Sequence, residues 1–187
     1  ILGHAKNRYV KIEFWNNSAE IKILRNDEEN FENLKKLPFI QFNDNQIIIK
    51  KGNWDIENKI IIPKNYELIV QPGSQLIFKN EGQIISFSPI FIIGDKDNPI
   101  VLKSNFTGDI NEYREGIKNK DFGFGIMVIK ASKKSIINYA IFDKLSSPSV
   151  VSGQSASGSI NFYESNVEIK NSKFLNNLRG DDYLNII

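Results

Sequence analysis

The chain has 187 residues, 24 Lys and Arg against 22 Asp and Glu for a net charge of +2, and a hydrophobic share of 41%. This suffices for one domain with a sizeable core, and the interspersed charges form no basic stripe for nucleic acid. The absence of cysteine excludes disulfides, thiol nucleophiles and thiolate zinc sites, and the lone histidine, His4, at the extreme N-terminus, argues against a Ser-His-Asp triad and against a multi-His metal site.

No apolar run approaches the ~18 residues of a membrane span. The first residues show neither the charged n-region nor the apolar h-region of a signal peptide, and a chain starting at Ile1 reads as trimmed at its front. Residues 9–15 alternate, with Val10, Ile12 and Phe14 on one face, and Ile21 and Ile23 repeat the pattern after the turn residues Asn16, Asn17 and Ser18. That spacing predicts a β-hairpin. A helix is expected next, capped by Asn26 or Asp27, acidic in its first turn, with Lys35 and Lys36 in its last, stopped by Pro38 and striped by Phe31, Leu34 and Leu37.

From about Gln46 short β-branched runs recur at residues 47–49, 60–62, 68–70, 76–78, 84–85, 90–93 and 100–102. Turn residues separate them: Gly52-Asn53, Pro63-Lys64-Asn65, Pro72-Gly73, Asn80-Glu81-Gly82 and the stretch 94–99. This is all-β punctuation. Two segments break the rhythm and are expected to be loops, at 104–124 and, Ser-rich, at 146–157.

Residues 125–145 and 158–178 then repeat each other at an offset of 33. Gly125 falls on Gly158, Ser132 on Ser165, Asn138 on Asn171, Asp143 on Asn176 and Leu145 on Leu178. Repeats at this period mean stacked units that cannot bury their apolar faces alone. Removing the Ser-rich loop leaves a coil of about 21 residues, the length of one solenoid turn. A parallel β-helix is predicted, with ladders of Ile129 on Phe162, Ile136 on Ile169, Ile141 on Phe174 and Leu145 on Leu178, and with Asn138 and Asn171 stacked at a corner. A leucine-rich repeat lacks support because L-x-x-L-x-L spacing is missing; a β-sandwich is the alternative without repeats. The expected organisation is a hairpin and helix cap over 1–44 and coils over 45–187. The apolar stretch 183–187 ends on an uncovered coil, which implies further coils or a partner surface.

The segment IIIPKNYELIVQPGSQLIFKNEGQIISFSPIFIIGDKDNPIVLKS resembles the opening coils of secreted bacterial right-handed parallel β-helix proteins of the pectin-lyase-like superfamily, with Asn65 where their pattern has Gly. The segment SGSINFYESNVEIKNSKFLNNLRGDDYLNII resembles a subgroup found beside CotH-type proteins. The resemblance spans about residues 46–187. It implies an extracytoplasmic, secreted or cell-surface setting, and either a module that binds a glycan or protein partner or a carbohydrate-active enzyme of the polysaccharide-lyase kind. Such lyases use Ca²⁺ or a carboxylate cluster with an Arg or Lys base.

On that basis Arg179, Asp181 and Asp182 are the candidate catalytic residues, with Asp181 and Asp182 as candidate Ca²⁺ ligands; the structural alternative is a polar turn. Tyr113, Phe124 and Tyr163 are the candidate aromatic platforms for a sugar ring, against simple packing of a loop onto its coil. Glu164 and Glu168 invite comparison with the carboxylate pair of a glycosidase, but Ala131 and Ser135 align with them, so no acidic cluster is expected. Asp95 and Asp97 read as a turn, the sequons at Asn16 and Asn105 as chance, and so does the tripeptide Arg179-Gly180-Asp181. An ice-binding surface would need threonine arrays, and Thr107 is the only threonine.

Overall fold

The computed structural model describes residues 4–5, 8–9, 27–108, 123–148 and 156–187. The expected hairpin of residues 9–23 lies, after Tyr9, outside the described residues, as does Tyr113. Near the front, β1 (His4–Ala5) runs antiparallel to β2 (Arg8–Tyr9), with His4 opposite Tyr9.

The helix α1 (Asp27–Lys35) forms as its acidic first turn and Lys35 near its end suggest, both complementing the macrodipole. It turns its apolar stripe to the first coil. Leu34 is buried, and the Phe31 ring lies 4.8 Å from Phe42 and 5.5 Å from Tyr66. β3 (Ile40–Asn43) then doubles back on β4 (Gln46–Ile49) as an antiparallel hairpin through Asp44, which takes the left-handed φ of 48° that Asp tolerates. Helix and hairpin together cap one end of the coils.

Each coil contributes one strand to each of three faces. The first coil is β4, β5 (Asn53–Ile56) and β6 (Lys59–Ile62); the second is β7 (Glu67–Val70), β8 (Gln75–Phe78) and β9 (Gln83–Ser86). The third is β10 (Ile90–Ile93), β11 (Ile100–Ser104) and β12 (Ile126–Ile129); the fourth is β13 (Ser135–Asn138), β14 (Ala140–Asp143) and β15 (Gly158–Tyr163). The fifth is β16 (Val167–Lys170), β17 (Lys173–Leu175) and β18 (Asp182–Ile186). All pairing between coils is parallel, giving sheets β4-β7-β10-β13-β16, β5-β8-β11-β14-β17 and β6-β9-β12-β15-β18, with β3 on the free edge of the first. This is the arrangement of a parallel β-solenoid.

Alternation along each strand fills the interior with stacked aliphatic and phenyl groups. Ile47, Leu68, Ile90, Ile137, Leu76, Leu102, Phe142, Ile62, Ile84, Ile126, Ile160 and Phe162 are all at most 1% exposed. Corner N–H groups that no strand can satisfy are taken up by serine. Ser88 Oγ accepts from Tyr66 N, Ser135 Oγ from Ile90 N, Ser165 Oγ from Ala131 N and Ser172 Oγ from Ala140 N, each tying one coil to the next at 3.0–3.2 Å.

The register corrects three of the expected ladders. Val128, not Ile129, pairs with Phe162, an offset of 34; Ile137 pairs with Ile169 and Phe142 with Phe174, an offset of 32. The cause is the turn between the third and first faces. It spans 130–134 after β12 but only 164–166 after β15. The 33-residue offset is the mean of two registers, and a one-residue slip reverses the facing of a whole strand. Ile136 and Ile141 therefore face outward. Ile129 joins Ile85, Phe87 and Met127 in a second cluster on the outside of the third sheet. The corner contacts hold at 33: Asn171 Nδ2 donates to Asn138 Oδ1 at 3.0 Å, Asn176 Nδ2 to Asp143 Oδ1 at 2.8 Å, and Leu178 N to the Leu145 carbonyl at 3.0 Å.

The fifth coil is less enclosed. Val167, Ile169, Phe174 and Leu184 are only partly buried, and Leu175 and Ile186 are exposed.

Candidate functional site

The corner joining the second face to the third carries the longest connections of the solenoid. It holds 57–58 between β5 and β6 and 79–82 between β8 and β9, and then becomes the insertion 105–125 between β11 and β12. In the fourth coil it is the stretch 144–157, and in the fifth 176–181. Both long insertions read from the sequence thus leave the same corner on successive coils. Arg179, Asp181 and Asp182 sit on the next coil at that corner.

A short ladder holds the corner together. Phe124 pairs in parallel with Ser146, and Ser146 with Arg179. The ends of both insertions are close-packed around it, and a Cβ on Gly125 would overlap the Ser159 carbonyl. The 176–181 turn is organised by Asn177, whose Nδ2 donates to the carbonyls of Gly180 (3.2 Å) and Asp182 (2.9 Å), while Ser159 Oγ donates to its Oδ1. Ser147 donates to the Arg179 carbonyl from both its backbone N and its Oγ, each at 2.9 Å. Gly180, at φ 125°, occupies a conformation that side chains rarely adopt. Ser157 Oγ is bonded by Asn185 Nδ2. The backbone of the turn is fixed by amides and hydroxyls, and the side chains of Arg179, Asp181 and Asp182 are left exposed to solvent.

These three residues are brought together in sequence and on one rim. Among the described residues, no group of three or more His, Asp or Glu gathers in a way that could hold a metal ion. What the rim offers chemically is one guanidinium, two carboxylates and a surround of amide and hydroxyl groups, a set suited to hydrogen-bonding a polar ligand.

The aromatic candidates separate. Phe124 is 7% exposed, enclosed at the root of the insertion, so its ring is not presented at the surface. Tyr163 is half-buried against the second cluster, with Lys130 Nζ 5.9 Å from its ring centre. The interior holds a further ring, Tyr183, set edge-on to Phe174 at 5.5 Å, its hydroxyl accepting from Leu145 N at 3.4 Å. Burial pushes that hydroxyl well above the usual tyrosine range.

Glu164 lies at a different corner and Glu168 on strand β16 beyond it, and both are held by lysines. Lys130 reaches Glu164 at 3.1 Å, and both Lys134 and Lys170 reach Glu168 at 2.7 Å. Hydrogen bonds from Lys134 and Lys170 hold the Glu168 carboxyl down at about 2. A carboxylate so clamped is a poor proton donor near neutral pH, as its outward position also suggests. Lys133 binds Glu67 alongside at 2.8 Å, lowering that carboxyl too. Asp95 closes its own turn, Oδ1 accepting from Asp97 N and Asn98 N at 2.8 Å. These lysine pairs were invisible in the sequence because the register between coils decides which residues meet.

Compared with protein-family models, with curated proteins and with solved structures, the chain matches none.

Proposed function

We propose that this chain is a right-handed parallel β-helix of the pectin-lyase-like kind that works outside the cytoplasm as a binding module, presenting loops to a glycan or a protein. Right-handed winding is the expected hand for parallel crossovers. One observation carries the functional reading: both long insertions and the exposed Arg179, Asp181 and Asp182 share a single corner on three successive coils. The faces elsewhere are closed by short turns, so sequence length has been spent at one place, as expected where loops on a rigid scaffold carry recognition.

The polysaccharide-lyase alternative draws on the same three side chains and would use Arg179 as base with Asp181 and Asp182 holding Ca²⁺. Affinity electrophoresis against a panel of neutral and acidic polysaccharides tests both. The parent chain is run beside an Arg179→Ala/Asp181→Ala/Asp182→Ala variant, with and without Ca²⁺. Retardation that the triple variant loses supports the glycan module. Appearance of unsaturated, ultraviolet-absorbing products identifies a lyase. No retardation by any polysaccharide refutes a glycan ligand within that panel and leaves the protein partner, to be sought by crosslinking at the same corner.

A further inference from the structure

We propose that the fifth coil is a self-pairing surface, on which a second copy of this chain docks across a two-fold axis. The two ends of the solenoid differ. In the first coil, under α1 and β3, the inward Ile47, Ile49, Ile56, Ile60 and Ile62 are at most 5% exposed. In the fifth, Val167, Ile169, Phe174 and Leu184 are only partly buried. Ile186, in the same inward row as the enclosed Phe162, is 56% exposed. β16, β17 and β18 are also the outermost strands of their sheets, each with an edge of N–H and C=O groups that no described strand meets.

The capped end cannot receive the open one, so the surface that fits is another open end. A two-fold axis across the solenoid reverses strand direction, and the edge strands of the two copies meet antiparallel. Charge selects the face that lies on the axis. Centred on Ile169, β16 sets Glu168 opposite Lys170 of the second copy and Ile169 opposite its own equivalent. The same axis leaves the three-sided coil at the opposite corner. There the turn 176–181 meets itself, bringing Arg179 towards Asp181 and Asp182 of the second copy, while β17 runs along the other copy's β18. Residues 167–187 carry three acidic side chains, Glu168, Asp181 and Asp182, against three basic ones, Lys170, Lys173 and Arg179. Two copies therefore approach without net repulsion. The coil offers about 20 residues, the size of one side of a standard interface, and closure at two leaves no open coil on which to extend.

Sedimentation equilibrium of the whole chain over a range of concentrations reads the mass directly, independently of any ligand. The expected result is a single step from 21.4 kDa to twice that mass. Ile186→Lys should raise the dissociation constant at least about tenfold without lowering the melting temperature, because that side chain already meets solvent. Arg179→Asp should weaken pairing and Arg179→Asp/Asp181→Arg restore it, since the swap exchanges the charges that face each other across the axis. A 21.4 kDa species at every concentration up to about 100 μM overturns the proposal. So does a mass that grows past two copies, a dimer that Ile186→Lys leaves intact, or a swap that fails to restore what Arg179→Asp removes.

Discussion

Replacing Phe142 by alanine tests the register between the last two coils. Phe142 is 0% exposed and its ring stacks on Phe174 at 4.9 Å with planes 3° apart. Truncating a buried phenylalanine costs about 3–5 kcal/mol. The aromatic stack accounts for about 0.5–1.5 kcal/mol of this beyond area alone. Phe174 is only partly buried and can lean into the space, which places the expected loss near the lower bound, about 3 kcal/mol. For a chain of this length that is a fall in Tm of roughly 6–12 °C. The neighbouring Ile141→Ala, on the outward row beside Val101 and Lys173, should cost less than about 1 kcal/mol. Urea unfolding followed by far-ultraviolet circular dichroism measures both. If Ile141→Ala proves as damaging as Phe142→Ala, the inward row has been misassigned and the 33-residue ladder is restored.

Two further outcomes are expected. Glu168 has its carboxyl held at about 2 against an ordinary 4.5 by Lys134 and Lys170, so its ion pairs contribute fully above pH 4.5 and are lost as pH falls through about 2. The stability gap between the parent and Glu168→Gln, small because these side chains meet solvent, should close over that window in pH-dependent unfolding, and a carboxyl titration by NMR with a midpoint near 4.5 would contradict the clamp. Asn80 and Glu81 both have positive φ, 48° and 62°, in the turn closed by Gly82 N and the Lys79 carbonyl. Such a turn favours Asn-Gly, so Glu81→Gly should raise stability by up to about 1 kcal/mol, read as a higher urea midpoint; a lower midpoint would show that the Glu81 side chain contributes more than its backbone strain costs.

Much of the architecture is written in local residue choice. Runs such as Ile60-Ile61-Ile62 and Leu76-Ile77-Phe78 became strands where β-branched and apolar side chains suggested, Pro38 ended the helix, and both loop segments fell between strands. The facing of β13 and β14 was not legible. Ile136 and Ile137 are chemically alike, as are Ile141 and Phe142, and only the length of a turn decides which of each pair points inward. The candidate site was half legible. Arg179, Asp181 and Asp182 stood out as a polar cluster near the last strand, but their position on the same corner as both insertions needed the count of coils. The burial of Phe124 had no local signal, because a ring beside a long polar segment looks exposed until the segment's ends are known to close on each other.

The turns at 130–134 and 164–166 join the same two faces with five residues in one coil and three in the next. Lys130 and Glu164 nonetheless open them alike, at φ 49° and 45°. The vertex, not the side, absorbs differences in chain length, so the triangular cross-section can survive additions and losses that would derail an ordinary hairpin. A peptide grafted after Lys130 should be carried as an appendage, while the same peptide placed within β13 would break its parallel pairing with both β10 and β16. Sequence comparison among such coils is better anchored on their left-handed corner residues than on any constant spacing.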